Sequence, residues 1–185
     1  MTRSTTRRGF LASSAAGLAA FALPAVNVLG AGEKINVGCI GTGGRCRFLM
    51  RSLAGLPNAR MTAVCDIYTK HLKEGLDIAG QKAADFKDFR KLLDDKSIDA
   101  VLIGSPDHWH VPMTIEAMAA GKDVYIEKPL THSLAEGKAI LDAAKKYDRI
   151  VQVGTQQRSM PQFKKGYEIV RSGKLGKIHK VQLSW

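Results

Sequence analysis

Short apolar runs of four to seven residues alternate along most of the chain with longer stretches whose apolar positions recur at helical spacing. The runs Lys34–Ile40, Ala59–Cys65, Asp99–Ile103, Asp123–Ile126 and Arg149–Val153 read as buried strands, with a very short strand at Ala83-Ala84. Between them the spacing predicts helices over Arg45 to about Ser52, over Tyr68–Ala79 with Gly80 as its stop, and over Val111–Ala120 ending at Gly121. Phe86, Phe89, Leu92 and Leu93 fall at helical spacing and predict a helix over Asp85–Leu93 with Asp85 as N-cap. Ser133 is placed to cap a helix reaching about Tyr147. Strands alternating with helices predict an α/β fold, a doubly wound parallel sheet of the Rossmann kind built from right-handed crossovers.

The two ends break this rhythm. At the start, two adjacent arginines, Arg7 and Arg8, precede the mildly apolar run Phe10–Leu23, rich in alanine and glycine. A basic region, a short apolar region and small residues beyond it describe an export signal. The sequence Arg7-Arg8-Gly9-Phe10-Leu11 resembles a twin-arginine (Tat) signal. Residues 1–31 are therefore expected to be an address. Cleavage sites at Ala20/Ala22, Ala25 and Gly30/Ala31 compete. The Tat translocase is the implied partner, and a periplasmic or other extracytoplasmic location the implied destination. No run approaches the ~20 apolar residues of a spanning helix, so stable membrane insertion is not expected.

At the other end, Phe163, Tyr167, Ile169 and Val170 mark a helix over Pro161–Ser172, and residues 178–185 then alternate with period two, as a half-buried strand does. A lone strand cannot satisfy its backbone or bury its face. Residues 159–185 are read as the beginning of an α+β substrate domain, truncated here, following a dinucleotide-binding domain over residues 32–158.

Composition narrows the function classes. The 185 residues are 45% hydrophobic and 24% charged, ordinary globular values, with net charge +11 and pI near 9.7. The basic residues are dispersed, and their densest groups are isolated pairs such as Lys145-Lys146, so nucleic-acid binding is not expected. Three cysteines do not make a disulfide framework. Cys39 and Cys65, inside predicted strands, read as inert core residues.

Gly41, Thr42, Gly43, Gly44 and Arg45 lie between the first strand and the first helix. That is the context of a dinucleotide fingerprint, in which glycines let the backbone approach a pyrophosphate held at the helix N-terminus. Cys46 replaces the third glycine, which serves close helix–strand packing. It leaves open a displaced helix or an exposed thiol. Asp66, at the end of the second strand and 20 residues beyond Cys46, can accept hydrogen bonds from an adenosine ribose. It would repel a 2′-phosphate, so NAD is expected in preference to NADP.

Two further segments sit where such sheets place their ligands, at the carboxyl ends of strands: Ser105-Pro106-Asp107-His108-Trp109-His110 and Glu127-Lys128-Pro129. Pro129 biases Lys128 toward an extended backbone that projects across the crevice. With Gly154–Arg158, these motifs resemble the Gfo/Idh/MocA oxidoreductases, sugar and polyol dehydrogenases related to glucose–fructose oxidoreductase and inositol dehydrogenase. The resemblance spans about Lys34 to Trp185.

It implies a hydride transfer between a sugar or cyclitol hydroxyl and nicotinamide. Lys128 matches the family lysine that contacts substrate and nicotinamide and supports acid–base chemistry. Glu127 matches a neighbour lining the cofactor site, and Ser105, Pro106 and the loop through His108 to His110 match a segment over the dinucleotide. Asp107 stands where many relatives carry asparagine. Gln156 and Arg158 match residues at the nicotinamide end, and the family's second acid–base group has no counterpart here. The full-length protein is expected to be a homo-oligomer, and the fragment to be inactive alone. A glycosidase of the same fold, using NAD transiently, and an inactive nucleotide-binding fragment are the alternatives. His108 and His110 lack a third partner for a metal, and none is expected. His110 is expected to order the start of the next helix, and Trp109 either covers the cofactor or packs.

Overall fold

A computed structural model describes residues 34–183; the expected export signal and Ser184-Trp185 lie outside the described residues. Six strands form one parallel sheet: β1 (Ile35–Ile40), β2 (Ala59–Cys65), β3 (Ala84–Phe86), β4 (Ala100–Ile103), β5 (Asp123–Glu127) and β6 (Val151–Gly154). Their order is β3-β2-β1-β4-β5-β6, the doubly wound arrangement. The helices are α1 (Gly44–Ala54), α2 (Thr69–Ala79), α3 (Phe89–Asp94), α4 (His110–Ala119), α5 (Leu134–Tyr147) and α6 (Pro161–Arg171).

Successive strand side chains point to opposite faces, so every central strand supplies both layers of core. Val37, Cys39, Val64 and Leu102 meet Cys46 and Met50 of α1 and Leu72 of α2 on one face. Ile40, Ala63, Cys65, Val101, Ile103, Val124 and Ile126 meet α3, α4 and α5 on the other, through Leu92, Met113, Met118 and Ala143 among others. Burying side chains of this size contributes about 1.5–3 kcal/mol each before the entropy of ordering them. The Ser133 hydroxyl accepts from the Glu136 N–H while the Glu136 carboxylate accepts from the Ser133 N–H, a reciprocal cap that fixes where α5 begins.

Two expectations need correction. Asp85 does not cap a helix, because it pairs with Val64 in β3; the cap is Asp88, whose carboxylate accepts from the Arg90 N–H. Parallel pairing along β2 satisfies the 84–86 backbone and delays the helix start. Residues 178–183 form no strand and are exposed, since no described strand pairs with them. Among the described residues no helix is long and apolar enough to cross a membrane.

The register sets up the site. Ile40 aligns with Cys65 on one side and Ile103 on the other, Ile103 with Ile126, and Glu127 with Gly154. The residues just beyond these ends therefore form one row across the crevice, where the strand order reverses on either side of β1.

Candidate active site

The first part of the row is the glycine loop. Gly41 has φ +73, and a Cβ there would lie 2.6 Å from the Ser105 backbone, so only glycine fits. Gly43 and Gly44 have nothing within 4 Å of where a Cβ would sit. The loop is thus packed from below and open above. No side chain caps α1, and its first turn carries no acid, so its N–H groups are available to an anion.

The loop is braced by residues that sequence reasoning passed over. One Arg47 guanidinium nitrogen donates to the Thr42 carbonyl at 2.6 Å and pairs with Glu74 of α2 at 2.9 Å. The buried Thr42 hydroxyl donates to the His71 carbonyl at 2.9 Å and lies 3.4 Å from Asp66 Oδ2. Its one proton goes to the nearer acceptor. Asp66 accepts from the Tyr68 N–H through Oδ1 at 2.8 Å, while His71 Nδ1 stands 3.7 Å from Oδ2. The second carboxylate oxygen thus keeps acceptor capacity for a ribose hydroxyl.

Cys46 is fully buried, and its Cβ occupies the space that a Cβ on Gly104 would need. The thiol is therefore not exposed. Burial pushes it up to about 12, with the nearby Asp66 carboxylate adding to the effect.

The second part of the row is a cleft of about 380 Å³ lined by Arg45, Ser105, Asp107, His110, Glu127, Lys128 and Gln156, together with Gly104 and Pro129. Arg45 Nε donates to Glu127 Oε1 at 2.8 Å, with the Glu127 side chain 5% exposed, and so joins the start of α1 to the end of β5. Glu127 Oε2 accepts from the Lys128 N–H at 3.1 Å. The Lys128 side chain is exposed at the cleft, and the Lys128–Pro129 peptide is cis. Two buried polar atoms here, Ser105 Oγ and Gln156 Oε1, lack a hydrogen-bond partner. Orphaned buried polar atoms facing a cleft are suited to a polar ligand.

Of the residues singled out in the sequence, Arg45, Ser105, His110, Glu127, Lys128 and Gln156 line this one cleft, with Asp107 among them, while Pro106, His108 and Arg158 are exposed outside this lining. Asp107 is engaged from an unexpected direction. His132 Nε2 lies 3.1 Å from Asp107 Oδ1, and that hydrogen bond holds the Asp107 carboxyl below its usual range. The Trp109 ring packs edge-on against Phe89 at 6.3 Å and is 40% exposed. Among the described residues no three His, Cys, Asp or Glu side chains converge to hold a metal ion.

Comparison with known proteins gives one family and relatives named for more than one activity. An oxidoreductase family with an NAD-binding Rossmann fold, GFO_IDH_MocA, matches residues 35–155. Myo-inositol 2-dehydrogenase of Thermotoga maritima is 31% identical over 150 residues, 81% of this chain and 45% of that protein. A glycosyl hydrolase family 109 protein of Stenotrophomonas maltophilia is 36% identical over 131 residues, 65% of this chain and 29% of that protein. The crystal structure of myo-inositol dehydrogenase from Lactobacillus casei in complex with NAD(H) and myo-inositol superposes with TM-score 0.70 at 29% identity, over 76% of this chain and 42% of that one. The chain spans less than half the length of these relatives.

Proposed function

The chain belongs to the Gfo/Idh/MocA family of NAD-binding oxidoreductases, and from that premise we propose that it serves an exported dehydrogenase acting on a sugar or cyclitol hydroxyl. The observation that carries this reading is the row at the strand ends. A packed but open-topped glycine loop and an under-used Asp66 oxygen follow the carboxyl ends of β1 and β2, in register with the ends of β4, β5 and β6, after which Ser105 with its orphaned Oγ, Lys128, and Gln156 with its orphaned Oε1 line one cleft.

These residues fit NAD. The Gly41–Gly44 backbone and the α1 N-terminus would hold the pyrophosphate, Asp66 would accept from the adenosine ribose, and Ser105 and Gln156 would supply polar contacts to the nicotinamide half. Bound NAD would supply the acceptor for the hydride leaving the substrate carbon. Lys128 takes up the hydroxyl proton or stabilises the developing alkoxide. Glu127 fixes the Lys128 backbone and Arg45 in one arrangement. The likeness to inositol dehydrogenases supports a cyclitol as the substrate class. The paired Arg7 and Arg8 before a weakly apolar run support export by the Tat route after folding.

The test is the purified full-length protein with NAD and a panel of inositols and sugars, followed by NADH absorbance, beside Lys128→Met. NADH formation by the wild type and a loss of at least 100-fold in the variant are expected. No NADH from any alcohol, or an active variant, would refute the reading. A second reading, a glycosidase that uses NAD transiently, is supported by the likeness to the glycosyl hydrolase family 109 protein. Glycoside cleavage without net NADH would select it.

A further inference from the structure

We propose that His110 is a positioning residue for Lys128: its ring ties the loop after β4 to the loop after β5 and so fixes the backbone from which the lysine projects. This inference rests on the reading of Lys128 given above.

His110 is the first residue of α4 and is 2% exposed. Each ring nitrogen faces a main-chain oxygen. Nδ1 lies 2.6 Å from the Pro129 carbonyl oxygen, and Nε2 lies 2.9 Å from the Ser105 carbonyl oxygen. The two carbonyls are 24 residues apart and follow neighbouring strands. A side chain that served only to begin its helix would have no need of Pro129, which lies 19 residues on.

The ring also has a firm base. Val111, Met113, Thr114, Ala117 and Met118 of the same helix are buried, so α4 cannot shift without disturbing the core. Lys128 is thereby held from both sides. Glu127 Oε2 takes its N–H, and His110 takes the carbonyl of the next residue. The lysine side chain is exposed, so its position is set through its backbone. With its ring buried and set between these two main-chain oxygens, His110 acts on Lys128 through the chain.

The experiment follows the chemical accessibility of the Lys128 amine and needs no substrate. Full-length wild type, His110→Ala and His110→Gln are labelled with a trace of acetic anhydride, with and without saturating NAD, and the extent at Lys128 is read by peptide mass spectrometry. Lys138, on the exposed face of α5, is the internal standard. NAD affinity is titrated in parallel.

In the wild type NAD is expected to protect Lys128 at least fivefold relative to Lys138. Both variants are expected to bind NAD with affinity weakened by up to about tenfold, since His110 also holds the Ser105 loop but the glycine loop and Asp66 lie elsewhere in the row. His110→Ala loses the protection, and His110→Gln, which retains an N–H donor for one carbonyl, recovers part of it. Protection in both variants equal to the wild type would overturn the proposal and leave the Lys128 reading intact. Absence of protection in the wild type would overturn both. Loss of NAD binding in both variants would overturn it too, by showing that His110 supports the cradle as a whole.

Discussion

The departure of Cys46 from glycine should be energetically coupled to Gly104, which lies beyond β4. A Cβ built on Gly104 would fall 2.7 Å from Cys46 Cβ and 3.2 Å from Cys46 Cα. Ordinary carbon contacts need about 3.5–4.0 Å. Gly104→Ala must therefore push α1 from the sheet by roughly 1 Å, although Cys46 and Met50 hold the helix there fully buried. Overpacking of this kind costs about 1–3 kcal/mol, more than the ~0.4–1 kcal/mol that an added methyl gives by restricting the unfolded chain. A net destabilisation of about 1–2 kcal/mol is expected, with weaker NAD binding because the glycine loop moves with α1. Cys46→Gly alone also destabilises, by about 1 kcal/mol of helix propensity plus the lost burial. The double variant should cost less than the sum of the two by at least about 1 kcal/mol, since the glycine has only moved across the contact. Urea unfolding of the four full-length proteins, with NAD titration of each, measures the cycle. Additive energies, or a Gly104→Ala protein as stable as the wild type, would refute the packing argument.

Asp66→Ser should narrow or invert the preference for NAD over NADP, shifting the ratio of the two affinities by at least tenfold, or ~1.4 kcal/mol; tighter NADP binding by the wild type would contradict it. The Asp95 carboxyl is held below its ordinary value of 3.8, chiefly by the Ser97 hydroxyl. A group lowered in the folded state stabilises above its unfolded value, and the effect is lost as pH falls through the folded one. Ser97→Ala should therefore be less stable near neutrality and should converge with the wild type in acid, as denaturation midpoints at both pH values will show. Replacing Arg7 and Arg8 by lysine should retain the protein in the cytoplasm; unchanged periplasmic accumulation in a fractionation would remove the Tat reading.

The parts of the site that could be read from the sequence are those whose demands are local. A turn that must approach a phosphate needs glycine, and an acid at a strand end is visible from the strand. The bracing is different, because its partners are chosen by topology. Nothing near Arg47 signals Thr42 and Glu74 as its partners, and nothing near His132 signals Asp107. His110 was placed at the start of its helix, but its hold on Pro129 depends on β4 and β5 being neighbours. The boundary between β3 and α3 was misread because Phe86 and Phe89 satisfy a helical spacing whichever element Phe86 joins. Residues 178–183 show the converse: period-two alternation describes a strand only when a partner is there to pair with it.

The buried thiols have a consequence for where this domain can operate. Cys39, Cys46 and Cys65 are all unpaired, and burial is the largest cause pushing each thiol up, to about 12 for the latter two. Thiols held so far up stay protonated at neutral pH, and only the thiolate attacks a disulfide. The domain therefore gains no cross-link from an oxidising compartment and loses none in a reducing one. Its three thiols are spectators to disulfide exchange, so a domain that folds on one side of a membrane and works on the other would carry the same pattern of free cysteines across.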